Sequence, residues 1–236
     1  MTGRVRQLSL DLRPPSRWGG RRPGAGRKAG PIRRDPHQRR SPLAGRHPCH
    51  VTLRVRRDVP SLRTARLVRE LAASFRHACE RGRFRLVAYS IQTNHAHLLV
   101  EAASAHDLGR GMKSIGSRLA RAVNRVFARG GPVVADRYHV RALRTPREVR
   151  NALAYVLLNA RRHAAKLGRQ LARAPRIDPA SSGRWFDGWR AAFSRQTPGD
   201  VPAVAAPRTW LLRIGWRRAG LIDPREVPGG PTGRAR

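Results

Sequence analysis

The sequence is poor in acidic residues, cysteines, aromatic side chains and long apolar runs. Only 14 Asp and Glu residues stand against 50 Lys and Arg, which leaves a formal net charge of +36. Such an excess opposes folding unless solvated segments or a polyanionic partner carry much of it. Nucleic acid is therefore favoured as the partner over a membrane surface, because no helical pattern pairs a Lys/Arg face with a Trp/Phe face.

The other absences exclude further classes of protein. Cys49 and Cys79 are the only cysteines and form neither a C-x-x-C motif nor a zinc spacing, so reduced thiols in a cytosolic protein are expected. No segment reaches about 18 uninterrupted apolar residues, so no membrane span is predicted. The N-terminus has arginines but no apolar stretch, which excludes a secretory signal.

The chain divides by composition into three parts. Residues 1–48 are rich in Arg, Pro and Gly, which predicts a disordered basic arm that either contacts phosphates or keeps the protein soluble. Residues 49–168 carry regular apolar periodicity and are predicted to form the folded domain. Residues 169–236 form a basic extension whose Trp and Phe side chains either stack on bases or pack back on the domain.

The periodicity of residues 49–168 predicts the element order β-α-β-β-α-β-α. Strands are expected at 51–55, 84–91, 95–101 and 133–143, and helices at 61–82, 107–129 and 145–167. The first six elements are those of a ferredoxin-like unit, an antiparallel α+β fold, with one helix added at the C-terminal end. Two helices would cover one face of the sheet, which leaves the other face for a ligand or for the added helix.

Two histidines, His95 and His97, stand at the start of the third predicted strand. Because side chains i and i+2 of a strand point to the same face, both imidazoles can chelate one divalent ion. Ala96, Leu98 and Val100 would then enter the core. Taken alone the pair is a weak indication of a metal site, since exposed His-x-His pairs are common.

The added helix has an unusual polar side that carries Tyr155, Asn159, Asn151, Arg162 and His163. Tyr155 and Asn159 are one turn apart and share a helix face. The amide oxygen of Asn159 is a suitable third ligand for Mg²⁺ or Mn²⁺, and the Tyr155 hydroxyl would lie one turn away. This pattern suits attack of a phenolic oxygen on a DNA phosphate. The alternative is an interfacial tyrosine that is hydrogen-bonded to a neighbour.

Basic side chains with few acids among them follow the second predicted helix. They are Arg110, Lys113, Arg118, Arg121 and Arg125. Such a helix side is either a nucleic-acid face or a solvated surface. With Arg162 and His163 of the added helix, these residues make up the predicted DNA-binding set.

Three segments resemble a known family. Residues 93–100, T-N-H-A-H-L-L-V, resemble the P-x-H-x-H-x-L-x element of single-tyrosine HUH transposases. Residues 154–159, A-Y-V-L-L-N, resemble the catalytic helix of the REP-associated tyrosine transposases, and residues 136–143 resemble the strand before it. The resemblance covers residues 48–168 and implies a ferredoxin-like nuclease domain, a divalent metal and a 5′-phosphotyrosine intermediate on single-stranded DNA.

Carried onto this sequence, the resemblance makes His95, His97 and Asn159 metal ligands and Tyr155 the nucleophile, with Tyr138 as the alternative nucleophile. It implies a tyrosine HUH transposase that uses Mg²⁺ or Mn²⁺ to cleave and rejoin single-stranded DNA at hairpin-flanked sites. We expect a monomer or homodimer in the bacterial cytoplasm, associated with the nucleoid and with no membrane partner.

The sequence departs from the family pattern at two positions. Thr93 stands where the motif usually has proline, which loosens the turn before the strand. Ala160 stands where many relatives have proline, so the helix is predicted to continue beyond Asn159.

Two other functions fit part of the sequence. A non-catalytic, domesticated DNA-binding protein would explain the charge, but such a protein is free to lose His95, His97, Tyr155 or Asn159, and all four are present. A replication or conjugation nicking enzyme would share the chemistry, but no second tyrosine stands beside Tyr155 and no helicase segment is recognised.

Overall fold

Residues 42–168, 176–190 and 201–229 are described by a computed structural model. Nearly all of the predicted basic arm therefore lies outside the described residues, as do three parts of the predicted C-terminal extension. In the described ranges, no helix combines the length and the apolar character needed to cross a membrane.

One antiparallel sheet organises the fold. Its strands are β1 Cys49–Arg54, β2 Glu80–Arg81, β3 Phe84–Ile91, β4 His95–Ala102 and β5 His139–Ala142. They lie in the order β2-β3-β4-β1-β5. Apart from the two-residue β2, these are the predicted strands, and the predicted ferredoxin-like α+β class is confirmed.

The described residues also form five α-helices and two short 3₁₀ helices. The α-helices are α1 Ala65–Arg76, α2 Ala105–Val126, α3 Pro146–Leu157, α4 Asn159–Lys166 and α5 Trp210–Arg213. The start of α3 has the predicted capping box, in which the Thr145 side chain accepts from the Glu148 amide and the Glu148 side chain accepts from the Thr145 amide.

The predicted helix over 145–167 is interrupted. Leu158 has φ −108° and ψ 19° and separates α3 from α4, so the prediction of a helix that continues through Asn159 was wrong. No proline or glycine stands at this position, so the local sequence carries no signal for the break. The break makes Asn159 the first residue of α4.

Both faces of the sheet are covered. Helices α1 and α2 pack on one face, where Ala96, Leu98 and Val100 of β4 are buried as predicted. Helix α3 packs on the other face against Leu99. Because alternate residues of β4 point to opposite faces, His95 and His97 lie on the α3 side of the sheet.

Part of the C-terminal extension covers α3 from outside. Trp189 and Trp216 are buried in the same core as Leu153 of α3. Arg150 of α3 donates to both carboxylate oxygens of Glu226, at 2.7 and 2.6 Å. Helix α3 is therefore held between the sheet and the extension, and these tryptophans pack on the domain, which is one of the two roles expected for them.

Candidate active site

The His95 and His97 side chains meet on the α3 side of β4. Their Nε2 atoms are 3.0 Å apart. The Nδ1 atom of His95 lies 2.8 Å from Oδ1 of Asn94. Because an amide oxygen only accepts hydrogen bonds, His95 carries its proton on Nδ1 and presents an Nε2 lone pair to the site.

His97 is held from the neighbouring strand β1. Its Nδ1 atom lies 3.2 Å from Nε2 of His50 and 3.2 Å from Oγ1 of Thr52. A proton on Nδ1 of His97 can be donated to either atom, and Nε2 then keeps its lone pair. Sequence reasoning missed His50. The sequence signal was the alternation of His50 with Val51 in the first strand, which places the His50 side chain on the sheet face opposite that of Val51.

Burial keeps the imidazoles neutral. It lowers the pKa of His97 to about 3 and that of His50 to about 4, and nearby basic side chains act in the same direction. Burial is the main cause of the lowered pKa of His95, and the charges of Arg54 and His163 lower it further. A neutral imidazole is the form that binds a metal ion, so all three rings are in a ligand-competent state at neutral pH.

Tyr155 reaches the histidines from α3. Its Oη lies 3.4 Å from Nε2 of His97. The ring packs edge-on against His97 and His50, with centroid distances of 5.0 and 5.7 Å. The guanidinium carbon of Arg162 lies 5.1 Å from the centroid of the Tyr155 ring, so a permanent positive charge stands beside the phenol.

Asn159 is fully buried at the start of α4. Neither Oδ1 nor Nδ2 of its amide has a hydrogen-bond partner among the described residues. An unpaired buried polar group costs about 1–3 kcal/mol of stability. An apolar residue would avoid that cost, so the amide is a candidate for a functional role.

Tyr138, the alternative nucleophile, lies elsewhere. It precedes β5 and packs against the core formed by α1 and α2. That core is on the opposite face of the sheet from His97. This location favours Tyr155 over Tyr138 as the tyrosine that can act with the histidines.

The two imidazoles fit a shared octahedral ion. Ligands at right angles and about 2.1 Å from an ion lie about 3.0 Å apart, which is the separation of the Nε2 atoms of His95 and His97. Over the described ranges, no group of three or more His, Cys, Asp and Glu side chains is placed to hold an ion. A third protein ligand would therefore be of another type, and the unpaired amide of Asn159 is a hard oxygen donor of the kind that Mg²⁺ and Mn²⁺ accept.

Residues 46–156 match the family described as "Transposase IS200 like". This segment is 111 of the 236 residues. The predicted family is confirmed for it at the level of the IS200-like transposases, a family of DNA cleavage and transfer. The matched segment contains β1 to β5 and almost all of α3, up to the residue that follows Tyr155.

Two solved structures are similar to this chain. A REP-associated tyrosine transposase bound to a REP hairpin is 16% identical with a TM-score of 0.42, over 55% of this chain and 74% of that one. A Deinococcus radiodurans R1 protein assigned to the transposases is 16% identical with a TM-score of 0.36, over 60% of this chain and 100% of that one. No protein of curated function matches the chain.

The predicted DNA-binding residues of the chain divide between the two faces of the sheet. Arg110, Lys113, Arg118 and Arg121 line a groove beside α2. Arg125 lies outside this groove and pairs with Glu70 at 2.6 Å. Arg162 and His163 are on α4, where Arg162 stands over Tyr155 and the charge of His163 lowers the pKa of His95 and His97.

Proposed function

We propose that this transposase cleaves and rejoins single-stranded DNA through a 5′-phosphotyrosine on Tyr155. The observation that carries the proposal is the convergence of three side chains from two elements. The Tyr155 hydroxyl lies 3.4 Å from Nε2 of His97, and Nε2 of His95 lies 3.0 Å from that nitrogen. A phenol at the edge of a pair of neutral imidazoles is suited to phosphoryl transfer.

The proposed step exchanges one phosphate ester bond for another and needs no external energy source. The bond from Oη of Tyr155 to phosphorus forms and the bond from phosphorus to the 3′ oxygen breaks. The phenolic proton passes to water, and the released 3′ oxygen takes up a proton. The ester bond is retained on the tyrosine, so the 3′ hydroxyl of another strand can reverse the step without ATP.

His95, His97 and Asn159 would hold a Mg²⁺ or Mn²⁺ ion. Such an ion supplies a Lewis acid that polarises the phosphate and offsets its negative charge. The side-chain oxygen Oδ1 of Asn94 orients the His95 ring. Arg162 places a positive charge over the Tyr155 ring, and this charge would attract the incoming phosphate.

His50 and Thr52 act on the site through His97. Both lie within 3.2 Å of its Nδ1 atom and so set the ring plane and the tautomer. Neither residue is assigned a contact with the proposed substrate. They are positioning residues, and His50 additionally packs on the Tyr155 ring.

The proposed substrate is single-stranded DNA that flanks a hairpin, as the sequence motifs imply. The test is an oligonucleotide with a hairpin and a labelled single-stranded flank, incubated with the full chain and Mg²⁺ or Mn²⁺. We expect a covalent protein–DNA adduct on a denaturing gel. The variant Tyr155→Phe should lose the adduct but keep DNA binding, and the matched variant Tyr138→Phe should keep both.

Three results would contradict parts of this proposal. An adduct with Tyr155→Phe would show that another residue is the nucleophile. Equal cleavage with and without a chelator would remove the metal from the mechanism. DNA binding by the wild-type chain without any adduct on hairpin substrates would favour the non-catalytic DNA-binding alternative.

A further inference from the structure

We propose that a basic groove, on the opposite face of the sheet from Tyr155, binds the phosphate backbone of duplex DNA. The proposal rests on the proposed function only in taking DNA as the substrate. The groove, of about 730 Å³, runs between α2 and the turn that joins β2 to β3. We call it the α2 groove and define it by its six basic lining residues. These are Arg81, Arg83, Arg110, Lys113, Arg118 and Arg121.

One wall of the α2 groove is a single side of the helix. Arg110, Lys113, Arg118 and Arg121 follow the spacing i, i+3, i+8 and i+11, so they share one side of α2. Over this stretch the helix rises by about 16 Å, which is long enough to meet several phosphates of a duplex. The buried stripe of α2 faces the sheet, so the basic side points away from it.

The other wall is the β2–β3 turn, which carries Arg81 and Arg83. Gly82 between them has φ +59°, a conformation that glycine adopts without strain. Gly111 of α2 lets this turn come close, because a Cβ at that position would lie 2.1 Å from Cγ of Phe84. The absence of a side chain at Gly111 therefore brings the two basic walls together.

The described lining of the α2 groove holds six cations against one carboxylate. Within the described ranges, none of its six basic residues forms an ion pair. Its one acidic lining residue, Asp107, accepts a hydrogen bond from the Ser104 hydroxyl at 2.7 Å. Six like charges in one groove repel each other, and a polyanion would relieve that repulsion.

The lining favours duplex over single-stranded DNA. Proteins that hold single strands stack the bases on aromatic side chains, and no aromatic residue lines the described α2 groove. Arg, Lys and Ser side chains contact duplex phosphates without reading bases, and Ser114 and Ser117 line this groove with the cations. The chemistry of the groove therefore matches a duplex backbone.

The test compares two triple variants of the full chain that each remove three exposed positive charges. The groove variant is Arg110→Gln, Lys113→Gln and Arg121→Gln. The control is Arg66→Gln, Arg69→Gln and Arg76→Gln on α1, the neighbouring helix. Binding of a blunt duplex is measured by fluorescence anisotropy over a range of salt concentrations. Circular dichroism and thermal unfolding confirm that both variants fold like the wild type.

The groove variant should bind the duplex at least about tenfold more weakly near 0.1 M salt, with a salt slope smaller by about 2.7, because three phosphate contacts are lost. The α1 control should lose less than about threefold and keep its slope within about 1 of the wild type. A single charge reversal, Arg121→Glu, provides a second variant and should reduce the slope by about 1 to 2.

Wild-type duplex affinity in the groove variant would overturn the proposal, and so would an equal loss in the α1 control. An equal loss for an unpaired oligonucleotide would also overturn it, because the groove would not then select a duplex. The proposed function is tested separately by adduct formation in the wild-type chain. A wild type that forms no adduct, together with a groove variant that loses duplex binding, would remove the proposed function and support the groove.

Discussion

Asn159 offers the sharpest test of the candidate site, because its burial opposes stability. The residue is fully buried, and neither amide atom has a hydrogen-bond partner among the described residues. If the amide is kept as a metal ligand, an apolar residue of similar size should stabilise the metal-free protein. We therefore predict that Asn159→Leu raises the free energy of unfolding in the presence of a chelator.

The expected magnitude follows from the unpaired amide. An unsatisfied buried polar group costs about 1–3 kcal/mol, and leucine is close enough in volume that overpacking should cost less than about 1.5 kcal/mol. The difference is a net gain of about 1 kcal/mol in the free energy of unfolding. For a chain of this size, this corresponds to a rise of about 2–4 °C in Tm.

The assay is urea and thermal unfolding of wild type and Asn159→Leu, with chelator and with Mn²⁺. Mn²⁺ should stabilise the wild type by binding only its folded state, and it should stabilise the variant less. Asn151→Leu is the matched control, since Asn151 is exposed on α3 and its replacement should change stability by less than about 0.5 kcal/mol. A loss of 1 kcal/mol or more in Asn159→Leu, or an equal Mn²⁺ effect in both proteins, would refute this reasoning.

Two further predictions concern the imidazoles. In the metal-free folded protein, burial lowers the pKa of His50 to about 4 and that of His97 to about 3. Below about pH 6.5 the unfolded chain therefore binds protons that the folded protein does not. The free energy of unfolding is not reduced by these histidines above that pH, and it falls as the pH is lowered. Together they should remove up to about 2.7 kcal/mol per pH unit, most steeply near pH 5, where the unfolded histidines are protonated and both folded imidazoles are still neutral. Urea unfolding of the double variant His50→Gln and His97→Gln should show a flatter profile, and an unchanged profile would contradict the assignment. His50→Gln alone should weaken Mn²⁺ binding about 10- to 100-fold in calorimetry, whereas unchanged affinity would remove its role in positioning His97.

Local patterns predicted much of the fold and the convergence of the site. The alternation along β4 placed His95 and His97 on one face, and the helical spacing placed Tyr155 on the side that meets them. These are short-range patterns, because strand and helix periods alone decide which side chains share a face. The order of elements then places α3 on the sheet face that α1 and α2 leave open.

Contacts between strands and helices that are distant in sequence could not be predicted from these local patterns. The role of His50 depends on the pairing of β1 with β4, in which Thr52 stands opposite His97, and that register is absent from either segment alone. Arg81 and Arg83 join the cations of α2 only because Gly111 allows a close approach of the β2–β3 turn. Both cases involve contacts between residues distant in sequence, where periodicity carries no information.

The position of Tyr155 depends on more than the family segment. That segment ends at residue 156, yet α3 is also held from outside by the C-terminal extension. The pair between Arg150 and Glu226 and the buried Trp216 lie on this outer side. A contact of 3.4 Å between Tyr155 and His97 requires α3 to be fixed against the sheet to within a fraction of an ångström. The extension therefore contributes to the candidate site by fixing the helix that carries the proposed nucleophile, although none of its described side chains forms a hydrogen bond with the Tyr155 hydroxyl.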